Sequence, residues 1–235
     1  MKSALPILLS SAALLAGCVT TQTRKPLSML ELRSQGAVLQ AHEYSCGAAA
    51  MAMLMTTFGR PSTEEAVLDL AFEGNPPLQA DDNGNLILRP LTLKDLEKVA
   101  RAGGFKVVSA RVEDASHTLA AIQELKPVIT RMRLHGRLLH FVLIRDVQVG
   151  WVYISDPGYG NVKLPWEQFQ EAWRAGDGVL LAIGSHPFYA WKSPGGVVLK
   201  RNEQDVVMAA GDITPGPQFK SVMRRIGYAA VQTQP

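Results

Sequence analysis

The chain has 235 residues, of which 47% are apolar and 19% charged, with a formal net charge of +3. That is a globular profile, long enough for one sizeable core or at most two small ones, and it excludes a disordered chain. Its 24 Lys and Arg are dispersed rather than clustered, which excludes a nucleic-acid surface.

The chain begins MKSALPILLSSAALLAGC. Lys2 precedes an apolar run, Ala4 to Ala16, that is too short to span a bilayer as a mature helix. The run ends in Leu15-Ala16-Gly17-Cys18, which resembles a bacterial lipobox, where the peptide is cut before the cysteine and the thiol is lipidated. The expectation is a lipoprotein signal peptide over 1–17 and acyl chains on Cys18 as a membrane anchor. Val19 stands where Asp would favour the inner membrane, so the expected place is the periplasmic side of a Gram-negative outer membrane. Residues 18–34 are polar and read as a tether. With Cys18 carrying lipid, Cys46 has no disulfide partner in the chain.

From Gly36 the pattern becomes globular. Residues 36–40 suit a short strand. Residues 45–58, SCGAAAMAMLMTTF, have the propensity of a buried helix, stopped by Gly59-Arg60-Pro61. Ser62 and Glu65 form a capping-box signature for an amphipathic helix over 62–72. Residues 73–90 concentrate Pro, Asn and Gly and read as a loop. Thr92 caps a helix over 92–104, a strand follows at 105–112, and a short helix covers 116–125. Strands are predicted at 127–134, 139–148, 150–157 and 178–184, with a helix at 165–176 between the last two. Helices first and then an antiparallel sheet is the α+β pattern. Residues 185–235 carry weaker signals. They read as a partly ordered C-terminal extension with one possible helix over 217–231.

Thiol catalysis needs a stabilised thiolate, a histidine to exchange protons with it, a group to hold the imidazole, and a donor for the oxyanion. Cys46 opens the Ala/Met helix, where unpaired N–H groups and the macrodipole favour a thiolate. Gly47 follows, and its missing side chain would let a substrate backbone approach. His140 lies in the apolar strand LLHFVLI, and Asp156 ends the next one. A turn near residue 148 would set the two opposite each other as hairpin neighbours. Gln40, six residues before Cys46, could offer its amide to an oxyanion. His42 and Tyr44 lie between them and read as lining the groove entrance. His117, His135 and His186 read as surface residues. Taken singly, each of the four has a plainer reading: Cys46 as core packing, His140 as a satisfied core residue, Asp156 as a turn former and Gln40 as an exposed strand end.

The segments QAHEYSCGAAAMAMLMTTFG, LTLKDLEKVARAGGFKV, LKPVI, LLHFVLI and WVYISDPGYGNVKLPWEQF resemble the peptidase C39 family, the double-glycine leader peptidases, over residues 35–184. The resemblance implies a papain-like cysteine peptidase fold with N-terminal helices packed on an antiparallel sheet. It would make Cys46 the nucleophile, His140 the general base, Asp156 the orienting acid and Gln40 the oxyanion donor. Members are often fused to bacteriocin exporters. Here a lipobox precedes the domain and no GxxxxGK[ST] motif is present, as in stand-alone exported relatives of functional-amyloid or other secretion systems.

The expected function is a lipid-anchored endopeptidase acting on a secreted peptide or protein, with a secretion system as possible partner and no nucleic acid. A peptide-binding module that does not cleave is the alternative. A cell-wall amidopeptidase is less favoured, because that group is expected to show a DCSG-like motif where this chain has SCGA. No metal or other cofactor is expected, since the histidines are scattered and the thiol has another use.

Overall fold

The computed structural model describes residues 28–73, 78–112, 115–134, 138–193 and 196–205. The expected signal peptide over 1–17, Cys18, His135 and the helix expected over 217–231 lie outside the described residues. Ser28 caps a short helix, α1 (Met29–Ser34): its hydroxyl accepts from the Glu31 N–H, and the Glu31 carboxylate accepts from the Ser28 N–H. This helix forms where the sequence reads only as tether. Asn161 holds it by donating its side-chain amide to the Leu32 and Gln35 carbonyls.

The strand predicted at 36–40 does not form. These residues join no sheet among the described residues, and the Gln40 N–H is taken by the Pro157 carbonyl instead, at 2.8 Å. Helix α2 (Cys46–Thr57) matches the predicted span, and every residue from Cys46 to Met55 is buried. An all-apolar run of Ala, Met and Leu has no polar face, so it is stable only when packed on all sides. Helix α3 (Glu64–Phe72) starts later than the capping box suggested. Thr63, not Ser62, is the cap, and its hydroxyl accepts from the Ala66 N–H. The predicted loop over 73–90 contains a small antiparallel hairpin, β1 (Leu78–Ala80) and β2 (Leu86–Leu88). The Asp81 carboxylate accepts from the Asn83 and Asn85 N–H groups and closes its turn. Helix α4 (Leu93–Ala102) is capped by Thr92 as expected, and Asp95 completes a reciprocal box with it.

The rest of the domain is β3 (Lys106–Arg111), α5 (Ala115–Leu125), β4 (Val128–Leu134), β5 (Leu138–Gln148), β6 (Trp151–Asp156), β7 (Gly160–Pro165), α6 (Trp166–Ala175) and β8 (Val179–Gly184). The strands form one antiparallel sheet in the order β3-β8-β4-β5-β6-β7. Strand β7 was not predicted. Its alternating Val162 and Leu164 are the signal that was available. Both faces of the sheet are covered. Residues Ile129, Phe141, Leu143, Leu181 and Ile183 pack with α2 and α4 on one side. Residues Val128, Met132, Val142, Ile144 and Leu180 pack with Ile122 of α5 and with Phe169 and Trp173 of α6 on the other. Strand β8 is buried throughout, as its unbroken apolar sequence requires.

Beyond β8 the chain is more structured than its Gly and Pro content suggested. A hairpin of β9 (Tyr189–Ser193) and β10 (Gly196–Lys200) follows. Arg201 is buried, lies over the Phe58 ring and donates to the Lys126 and Pro127 carbonyls. Asp205, also buried, accepts from the Ser185 and His186 N–H groups.

Candidate active site

Strands β5 and β6 are joined by a tight turn at Val149-Gly150, where Gly150 takes φ +77°. Near the turn, Gln148 pairs with Trp151 and Asp146 with Tyr153. Continued without change, that register would place Asp156 opposite Leu143, on the face away from His140. Instead Arg145 is an extra residue, and beyond it Ile144 pairs with Ile154. The one-residue bulge reverses the parity, so His140 and Asp156 share a face. They are diagonal neighbours, two residues apart along the strands, rather than directly opposed as the spacing suggested.

The His140 Nε2 lies 2.8 Å from the Asp156 Oδ1. The same Oδ1 accepts from the Gly158 N–H at 2.7 Å and the Tyr159 N–H at 3.2 Å. Asp156 is therefore both the turn former of Asp-Pro-Gly and the partner of the imidazole. The turn holds the carboxylate, and the carboxylate holds the ring. Cys46 begins α2 and is buried, and its Sγ accepts from the Phe141 N–H at 3.5 Å. With Nε2 committed to Asp156, Nδ1 is the ring nitrogen available to the thiol.

Burial by itself would drive the proton off His140. The hydrogen bonds and charges of Asp156 and Cys46 outweigh it and raise the pKa from 6.5 to about 9. A folded value above the unfolded one stabilises the fold fully below pH 6.5, and this contribution is lost as pH rises through about 9. Urea unfolding should therefore show stability falling over that range, by on the order of 1–3 kcal/mol. The slope should flatten in His140→Gln.

Gln40 lies near the thiol in sequence, but its amide faces its own loop. Nε2 donates to the His42 carbonyl at 2.8 Å and the Glu43 carbonyl at 3.2 Å. Its Oε1 is buried and has no hydrogen-bond partner among the described residues. His42 and Tyr44 are exposed on this loop. Gly47 is buried. A Cβ there would come within 3.3 Å of both Leu91 and the Phe141 ring, so its missing side chain makes room for the core and not for a substrate. His117 falls in α5, and His186 is half-exposed, with Nδ1 3.5 Å from Asp205.

The profile of the peptidase C39 family matches residues 34–186. The chain belongs to the peptidase C39 family. Over 158 residues this C39 chain is 27% identical to FapD of Pseudomonas aeruginosa, described as a probable functional amyloid protease. That match covers 66% of this chain and 63% of the relative, so the chain spans somewhat under two thirds of the length of that protein. It is also 28% identical over 153 residues to the transport/processing ATP-binding protein ComA of Streptococcus pneumoniae, covering 64% of this chain and 19% of that one. The peptidase domain of Streptococcus ComA superposes with a TM-score of 0.50 at 19% identity, over 63% of this chain and 96% of that domain. A C39-like peptidase from Bacillus anthracis gives 0.50 at 14% identity, over 63% and 92%. At these identities the likeness is one of fold: helices packed on an antiparallel sheet in the papain-like manner.

Two residues support this C39 site without having been legible in the sequence. Arg145, the bulge residue, donates from Nε to the Ser155 hydroxyl at 2.7 Å and from its guanidinium to the Gly36 carbonyl. Glu64, in the first turn of α3, is only 3% exposed and bonds the backbone beside Gln40. An acidic residue at a helix start reads as solvated, so nothing in the sequence marked it.

Proposed function

We propose that this chain is a cysteine endopeptidase, held by lipid on Cys18 at the periplasmic face of the outer membrane, that processes a secreted peptide or protein. The observation that carries the peptidase reading is the partly buried imidazole held 2.8 Å from Asp156, with Cys46 at a helix start bonded to the N–H of the next residue, Phe141. The Cys46 thiolate attacks the substrate carbonyl carbon, and the C=O π pair moves onto oxygen. Collapse breaks the C–N bond, and the leaving amine takes the proton from His140. Water then gives a proton to His140 and attacks the thioester, and breaking of the C–S bond frees the second product. Gln40 is the side-chain donor for the oxyanion, once its longer bond to the Glu43 carbonyl is exchanged for the substrate oxygen.

The likeness to a probable functional amyloid protease supports a secreted amyloid subunit as substrate class. The test is to incubate the full chain with peptides that tile candidate secreted substrates, Gly-Gly junctions included, and to read products by mass spectrometry. Hydrolysis at one site, blocked by iodoacetamide, is expected. Binding without hydrolysis would instead support a non-cleaving peptide-binding module, the reading that the inward turn of the Gln40 amide favours.

The lipid anchor and the location rest on the lipobox alone. Cys18→Ala is expected to move most of the protein from the outer-membrane fraction to the soluble fraction or to leave it unprocessed. Unchanged fractionation would remove the anchor from the proposal.

A further inference from the structure

Glu64 is an anomaly by charge. It is 3% exposed, and among the described residues no Lys or Arg pairs with it. Removing a carboxylate from water is costly unless its hydrogen bonds are replaced. A negative charge in the first turn of α3 suits the helix dipole, but the exposed Glu65 next to it supplies that from the solvent side. Glu64 turns inward, and both of its oxygens accept from one backbone group, the Ala41 N–H, at 3.2 and 2.9 Å.

Ala41 follows Gln40 directly. The Gln40 N–H is held on the other side by the Pro157 carbonyl, in the turn that carries Asp156. Gln40 is thus pinned at both of its peptide bonds, by the acid turn and by α3. We infer that Glu64 is the positioning residue of the 40–45 segment, fixing the backbone from which Gln40 presents its amide to the oxyanion. The inference rests on the peptidase reading for its kinetic consequence, though not for the backbone contact itself. Among the described residues, Glu64 shares no hydrogen bond with Cys46 or the His140–Asp156 pair, so it acts on transition-state stabilisation and leaves thiol reactivity alone.

The test compares Glu64→Ala, Glu64→Gln and Glu64→Asp in the full chain. Glu64→Ala leaves the Ala41 N–H without its acceptor. The expected result is a fall in kcat of about tenfold to a hundredfold, with KM within about threefold and an unchanged rate of Cys46 alkylation by iodoacetamide. Glu64→Gln keeps an oxygen acceptor in place and should restore kcat to within about threefold of wild type. Glu64→Asp keeps the charge but is one methylene too short, and should behave like Ala; it decides the matter should Glu64→Ala not fold. Hydrogen exchange of the peptide covering 37–45 should accelerate in the Ala and Asp variants and not in the Gln variant. Wild-type kcat in both the Ala and Asp variants, or a kcat loss matched by slower alkylation, would overturn the inference. If the wild type cleaves no peptide, the peptidase reading fails. Exchange then decides alone: faster exchange in Ala and Asp with rescue by Gln upholds the positioning role, and unchanged exchange overturns it.

Discussion

Cys46→Ala is expected to lower kcat for peptide cleavage by at least about 10³-fold while leaving the fold and the binding of substrate intact. Among the described residues, the groups hydrogen-bonded to the thiol and to the His140–Asp156 pair are a carboxylate, an imidazole and backbone amides, none of which supplies a thiolate. The loss should fall on kcat, because covalent attack is made only in the transition state. Alanine removes one sulfur atom from a buried position, a change worth on the order of 1 kcal/mol of stability. A melting curve close to wild type should therefore accompany an inert enzyme, and the inert variant should still capture substrate. Cleavage retained by Cys46→Ala would end the peptidase reading. Cleavage lost together with the fold would be separated from it by Cys46→Ser, which keeps nearly the same volume and offers a far weaker nucleophile to the same imidazole.

Asp156 should divide into two effects, depending on the replacement. Among the described residues, three donors reach it, the His140 ring, the Gly158 N–H and the Tyr159 N–H, and they converge on Oδ1. Asparagine can keep an oxygen at that position, so Asp156→Asn preserves much of the turn and removes the charge. Alanine removes the acceptor, leaving two backbone N–H groups and the imidazole without it. The expected losses in kcat are about 10²-fold for Asn and about 10³- to 10⁴-fold for Ala. The pH profile supplies an independent check. In the wild type the alkaline limb of kcat/KM should lie at about pH 9, where His140 loses its proton. Without the Asp156 charge, burial acts on the ring with less opposition, and the limb should move to lower pH. A limb that stays in place in Asp156→Asn would mean that another group sets it.

The parts of this protein that were legible in the sequence are those decided within one or two helical turns. The all-apolar run after Ser45 could only be a buried helix, and it put Cys46 at its first residue. Thr92 marked the start of α4, and the apolar stretch before Gly184 marked a strand. Signals that compete over a single residue were less secure. Ser62 and Thr63 are both good caps, and the choice between them follows from where α3 packs. The hairpin formed by β9 and β10 has weak local propensity. Burial of Arg201 and Asp205 against the domain, tens of residues away in sequence, fastens the segment that follows it.

The sequence by itself determined the fold class and the order of the larger elements, and it proposed the thiol, imidazole and carboxylate as candidates, because these are written in short-range pattern and residue chemistry. Only the tertiary structure decided whether they meet. Arg145 carries no local mark of a bulge, yet without that extra residue Asp156 would face away from His140, since one step of register turns every side chain to the other side of the sheet. The same holds for the loop before Cys46. Its shape is set by the Pro157 carbonyl and by Glu64, groups that reach it only once the sheet and α3 are in place.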